Sequence, residues 1–252
     1  MVSSLHVEVV TIGTDRASTG VQGLDGMLGG GFPPGSIVLV CGGPGAGKTI
    51  LSLQYTAAAV GRGEPCVYVS LEEAMEKKKR YAKAFGWDLE GALKDGLLSV
   101  LDYQFVPRGG STTELVERTS REIEFSVEQQ IAEAALRVRA KHIVVDPLTS
   151  ILIHESSSGK KRHLVYQLFE ATRGLGCTAL ITSEGIPSDD AFYSEHFLSD
   201  GVIIMQKDLL SFRAVKTVRI DKMRGIDYDE QPRRYAVTGK GLRVFNTEPV
   251  LL

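Results

Sequence analysis

Phosphate chemistry is written most plainly between Gly42 and Thr49, where Gly42-Gly43-Pro44-Gly45-Ala46-Gly47-Lys48-Thr49 satisfies the spacing GxxxxGK[ST] in full. Glycines let backbone N–H groups converge on phosphate oxygens, and a helix that follows adds the positive end of its dipole. In such a loop Lys48 reaches the outer phosphates and the Thr49 hydroxyl ligates magnesium. The phosphate-binding set is expected to comprise Gly43, Pro44, Gly45, Ala46, Gly47, Lys48, Thr49 and Ile50. A glycine-rich turn with an incidental lysine is the competing reading. The position of the run between an apolar strand and a helical segment argues against it.

A metal held by one hydroxyl needs a carboxylate. Asp146 is the candidate, because the buried run Ile143-Val144-Val145 delivers it beside the loop. An aspartate at a strand end is also a common turn or cap residue. Hydrolysis further needs a group that orients or deprotonates water, and Glu72 and Glu73 follow the strand Val67-Tyr68-Val69-Ser70. That places them at the carboxyl edge of a sheet, where ligands bind in open α/β folds. Glu73 is expected to activate water, with Glu72 assisting. Alternatively the two acids simply open the next helix, since carboxylates favour helix N-termini. The ligands that follow from these residues are a nucleoside triphosphate and Mg2+, and the resemblance given below makes the nucleotide ATP.

Elements of a particular kind must hold these groups. Apolar runs at Ile37–Cys41, Cys66–Val69, Leu97–Leu101, Ile143–Val145 and Thr178–Thr182 alternate with helical segments. Those helices are expected over Lys48–Arg62, Ala74–Phe85, roughly Glu114–Arg139 and about His163–Gly174. Alternation of this kind predicts a mainly parallel sheet with helices on both faces, and the nearly unbroken apolar runs predict strands buried on both faces. After Asp200 the runs Val202–Met205, Val215–Ile220, Arg234–Val237 and Leu242–Phe245 are separated by turns and predict an antiparallel extension. The fold class is therefore α/β. One domain is expected over residues 20–252, preceded by an arm or added edge strand at 1–19.

Length supports one good-sized core. A formal net charge of −2 supplies no global positive field for nucleic acid or an anionic membrane, so any nucleic-acid site must be a local patch. The apolar runs are far shorter than the roughly 20 residues that span a bilayer, which predicts a soluble, cytoplasmic protein with no membrane partner. Cys41, Cys66 and Cys177 lack CxxC spacing and read as reduced, buried thiols.

With these residues assembled, the chain resembles the KaiC family within the RecA superfamily of P-loop ATPases, including single-domain archaeal members grouped as RadA paralogues. The resemblance covers nearly everything from Gly20 to Phe245. The stretch GVQGLDGMLGGGFPPGS is similar to the family's entry motif TGxxxLDxxLxGGxPxG, and Ser70-Leu71-Glu72-Glu73 matches its catalytic acidic pair. Ala179–Glu184 resembles the sensor strand, with Glu184 where recombinases usually carry glutamine. Lys222-Met223-Arg224-Gly225 resembles the KxRG signature. The resemblance implies that Lys222 and Arg224 reach the terminal phosphate of ATP on a neighbouring subunit, in a hexamer-like homo-oligomeric ring. Two residues apart on a strand, both cations point to one face; an exposed basic edge strand is the plainer reading. Ile226 stands where the family often has a hydroxyl.

The leading functional expectation is an oligomeric switch or motor ATPase with slow turnover, exchanging ATP for ADP. A second is a recombination accessory protein whose loop Ser156–His163, with Lys160, Lys161 and Arg162, grips single-stranded DNA, helped by Phe192 and Tyr193 in the loop Ile186–Phe197. A third is an ATP-dependent signalling scaffold for a protein partner, for which the run Lys77-Lys78-Lys79-Arg80 is a candidate face, although such runs are commonly solvated.

Overall fold

Four strands whose residues are all buried form the centre of the sheet: β1 (Ile37–Cys41), β2 (Cys66–Ser70), β4 (His142–Asp146) and β5 (Thr178–Ser183). In the computed structural model, residues 16–103, 127–153, 155–186, 194–210 and 213–249 are described. Adding β3 (Leu98–Asp102), β6 (Gly201–Leu210), β7 (Arg213–Met223), β8 (Arg233–Thr238) and β9 (Gly241–Pro249) gives one nine-stranded sheet. Its order is β3-β2-β4-β5-β1-β6-β7-β8-β9. Strands β1 to β6 run parallel, and β7, β8 and β9 pair antiparallel.

Alternate residues of a strand face opposite sides, and two cores result. Val38, Val40, Tyr68 and Val144 pack with Leu51 and Tyr55 of α2 (Lys48–Gly61), Met75 and Ala82 of α3 (Met75–Ala84) and Leu89 of α4 (Leu89–Lys94). Leu24 and Met27 of the short α1 (Leu24–Met27) join the same face. Leu39, Val67, Val69 and Val145 pack instead with Ile131 of α5 (Val127–Val138), Leu152 of α6 (Thr149–Leu152) and Phe169 of α7 (Ser158–Gly174). A last short helix, α8 (Ser194–Leu198), leads into β6.

Two expectations need correction. β6 is not the start of the antiparallel part: it pairs parallel with β1, and the reversal comes one strand later, at β7. The segment through α8 is long enough to carry the chain back across the sheet, so β6 enters in the parallel sense. Helix α7 begins at Ser158 rather than near His163, because the Ser157 hydroxyl caps it by accepting from Lys160 N at 3.4 Å. The basic run Lys160-Lys161-Arg162 therefore lies in helix and not in a loop. Of the expected arm or edge strand, residues 1–15 lie outside the described residues and residues 16–19 are described. Ala17 bridges Phe32, and Thr19 is buried because Asp25 accepts from the Ser18 hydroxyl at 2.6 Å and from Thr19 N at 2.8 Å. The part of the expected long helix before Val127, and Phe192 and Tyr193, lie outside the described residues. No helix among the described residues is long and apolar enough to cross a membrane. All three cysteines are buried and unpaired with one another, and burial pushes the Cys66 thiol up to about 12.

Candidate nucleotide-binding site

Strand register brings the site together. Cys41 pairs with Ser183 and Ser70 with Asp146 at the carboxyl ends of their strands. The residues just beyond those ends, Gly42, Glu72, Pro147 and Glu184, therefore emerge along one edge of the sheet. Gly47 precedes α2 in a left-handed conformation (φ 97°), which favours glycine, and turns the loop so that α2 starts at Lys48. Gly42 has no room for a side chain, because a Cβ there would lie 2.4 Å from the Met205 carbonyl oxygen.

A cleft of about 460 Å³ opens over this edge. It is lined by Pro44, Gly45, Gly47, Lys48, Thr49 and Ile50 from the loop and α2, and by Glu72, Glu73 and Asp146. Lys78, Pro147, Glu184 and Lys216 complete the lining. Every expected phosphate-loop, metal and acidic residue except Gly43 and Ala46 is thus at one cleft. Ala46 is buried beneath the loop, where its carbonyl accepts from the Tyr235 hydroxyl and ties the loop to β8. A second cleft, of about 490 Å³, lies between α3 and α4 around Lys79, Lys83 and Trp87. It holds none of the loop residues, so it is not where triphosphate chemistry is assembled.

Lys48 is 9% exposed and donates to the carbonyl oxygens of Gly42 at 2.5 Å and Gly43 at 3.3 Å. The Thr49 hydroxyl lies 3.4 Å from Asp146 Oδ1. Hard oxygen donors so close together suit magnesium, which favours one or two carboxylates and hydroxyls alongside phosphate and water. Thr49 would hold the ion directly and Asp146 would orient its shell. Four side chains fix Asp146: Thr182 donates to Oδ1 at 2.6 Å, Thr49 donates to the same oxygen, and Tyr68 and Lys78 donate to Oδ2 at 2.9 and 2.6 Å. Burial alone would raise the Asp146 carboxyl; the Lys78 ammonium and the Thr182 and Tyr68 hydroxyls outweigh it and hold the group below the usual carboxylate range. Asp146 is therefore an ionised, preoriented acceptor and not a turn residue.

Glu72 and Glu73 both precede α3, which begins at Met75. The helix takes its N-terminal acceptor from elsewhere, since Asp102 Oδ2 accepts from Met75 N at 3.0 Å. Neither acid therefore supplies that hydrogen bond to the first turn of α3. Glu73 accepts from the Tyr81 hydroxyl at 3.1 Å and from Lys77, while Glu72 is exposed at the rim.

Lys222 and Arg224 are outside this cleft. Lys222 donates to the carbonyl oxygens of His196 at 2.5 Å and Ser199 at 2.7 Å, and Arg224 donates to Phe197 O at 3.1 Å and Asp200 Oδ1 at 3.5 Å. Both cations are gathered at the end of α8. Burial and the neighbouring Arg224 guanidinium lower the Lys222 ammonium. Ile226 packs against the apolar core.

Sequence reasoning missed Lys78, Tyr68, Thr182 and Lys216. Lys78 was concealed inside a basic run that reads as a solvated face. The signal that finds it is helical spacing: Met75, Lys78 and Ala82 share the buried stripe of α3. Within the run, Lys78 is buried while Lys77 and Arg80 are exposed, and Lys77 pairs with Glu73 and Lys79 with Glu76 at 2.6 Å.

Comparison with known proteins gives the family. Residues 17–249 match the family model described as ATPase: KaiC. A UPF0273 protein of Thermotoga maritima is 32% identical over 92% of this chain and 97% of its own length. The circadian clock oscillator protein KaiC of Synechococcus elongatus is 29% identical over 91% of this chain, which spans 44% of that longer protein. The crystal structure of a KaiC-like protein from the hyperthermophilic archaeon Pyrococcus horikoshii superposes with a TM-score of 0.77 at 27% identity, covering 92% of this chain and 99% of that one. The chain belongs to the KaiC family of ATPases.

Proposed function

We propose that this chain is a magnesium-dependent ATPase that works as a ring-like homo-oligomer, a switch or motor in which Lys222 and Arg224 serve the ATP of a neighbouring subunit. The observation that carries the reading is the convergence of Lys48, Thr49, Asp146 and the Glu72–Glu73 pair on one cleft while the two cations of the same chain stand outside it. Phosphoryl transfer to water calls for few parts. A cradle and a lysine hold the outer phosphates, a metal neutralises developing charge, a carboxylate orients water, and a further cation meets the transition state. Lys48 and the loop supply the first. Thr49 and Asp146 hold the metal, which supplies Lewis-acid charge neutralisation when bound. Glu73 takes the proton of the attacking water, and Tyr81 orients its carboxylate.

The test is phosphate release by purified protein with magnesium and ATP. Lys48→Ala is expected to lower the rate by about a hundredfold or more, in line with loss of a principal charge-stabilising group. A wild-type protein that never releases phosphate, or a Lys48→Ala variant with an unchanged rate, overturns the reading.

A further inference from the structure

Lys78 occupies a place where helix α3 would otherwise bury an apolar side chain. It is 1% exposed, on the stripe of Met75 and Ala82, and its ammonium lies 5.1 Å from the centre of the Tyr68 ring. A lysine so buried is retained charged only with a compensating partner. That partner is Asp146, at 2.6 Å from Oδ2, with the Asp146 carbonyl oxygen a further 3.3 Å contact. Lys78 also lines the cleft shared by Thr49 and Asp146. The carboxylate expected to orient a divalent ion is thus already paired with a buried lysine of its own chain.

We propose that Lys78 is a positioning residue that acts as a built-in cation at Asp146 and thereby weakens the linkage between magnesium binding and nucleotide binding. The proposal rests on the reading of this cleft as an ATP and magnesium site. Two electrostatic consequences follow from one charge. A metal ion entering beside Thr49 shares the Asp146 charge with Lys78 and so binds less tightly than it would at an unshared carboxylate. Triphosphate arriving without metal still meets a cation close to the cleft wall, so it loses less when metal is withheld. Tyr68 and Thr182 keep the Asp146 carboxylate oriented in either case.

The test compares nucleotide affinity with and without metal. Nucleotide-stripped full-length protein is titrated calorimetrically with adenylyl imidodiphosphate, once in magnesium chloride and once in EDTA. The quantity read is the ratio of the two dissociation constants. Lys78→Met is expected to raise that ratio about tenfold, by tightening binding in magnesium and weakening it in EDTA. Lys78→Arg, which keeps the charge, is expected to retain the wild-type ratio. Should Lys78→Met fail to fold, Lys78→Gln makes the same comparison, because it can donate to Asp146 without charge. A merely structural lysine would change stability and leave the ratio alone. An unchanged or lowered ratio in a variant that binds nucleotide overturns the proposal. A wild-type protein that binds no nucleotide under either condition overturns the underlying reading of the cleft and this proposal with it.

Discussion

Two adjacent carboxylates at a strand end have different surroundings, and the proposed division of work between them rests on that difference. Glu73 is half-buried and held by Tyr81 and Lys77, whereas Glu72 is exposed at the rim. A general base must be oriented before it is useful, because proton transfer requires a fixed heavy-atom approach. Glu73→Gln is therefore expected to lower the hydrolysis rate by about two to three orders of magnitude with nucleotide affinity nearly unchanged. Glu72→Gln is expected to lower it by less than about tenfold. Single-turnover phosphate release beside nucleotide titration checks both, and equal losses would show that the pair acts as a unit. At this scale the sequence was legible where a motif fixes spacing: Gly42 to Thr49, the two acids and Asp146 needed only order along the chain and apolar flanks. Lys78, Tyr68 and Thr182 were not, because their contacts with Asp146 join four separate elements, and no local pattern records which strand lies beside which.

Helix α2 is fastened at both of its sides, and one side chain does most of the fastening. Gln54, 7% exposed, accepts from Leu242 N at 2.7 Å and donates to Leu242 O at 3.2 Å and Gly20 O at 2.8 Å. It thus joins the entry segment, the phosphate-loop helix and the β8–β9 hairpin. Gly241 is glycine for the same reason, since a Cβ there would lie 2.5 Å from Gln54 Oε1 and the backbone has φ +111°. Gln54→Ala is expected to cost about 2 to 3 kcal/mol, the loss of buried hydrogen bonds that leaves two carbonyls and one N–H unsatisfied. Urea denaturation checks it: a cost below about 0.5 kcal/mol, the level of an ordinary surface change, would show that water replaces the side chain. Among the elements, β1, β2, β4 and β5 were readable because burial on both faces leaves an unbroken apolar run. The short helices α1, α4, α6 and α8 were not, having too few turns for a period to show. The sense of β6 was misread because its residues look alike whether the neighbour is parallel or antiparallel. Only the partner, β1, decides it.

At the scale of the whole molecule, Lys222 near the end of β7 and Arg224 just after it stand outside the cleft of their own chain. Lys222 and Arg224 donate to carbonyl oxygens of α8 and its following turn, away from the cleft that holds Lys48 and Thr49 of the same chain. A closed ring supplies a reason for that separation, because a head-to-tail interface sets one surface of a subunit against a different surface of the next. Turnover then requires Lys48 from one subunit and Arg224 from its neighbour. Lys48→Ala and Arg224→Ala proteins are each expected to be nearly inactive alone. When equal amounts are dissociated, mixed and reassembled at random, about a quarter of sites should combine an intact Lys48 with a neighbour's intact Arg224, and hydrolysis should recover to about that fraction of wild type. A Lys48→Ala/Arg224→Ala double variant mixed with wild type separates this from simple dilution, since its half of the chains can complete no site together. If Arg224 serves its own chain instead, the two single variants recover nothing on mixing, because every Arg224-intact chain then lacks Lys48.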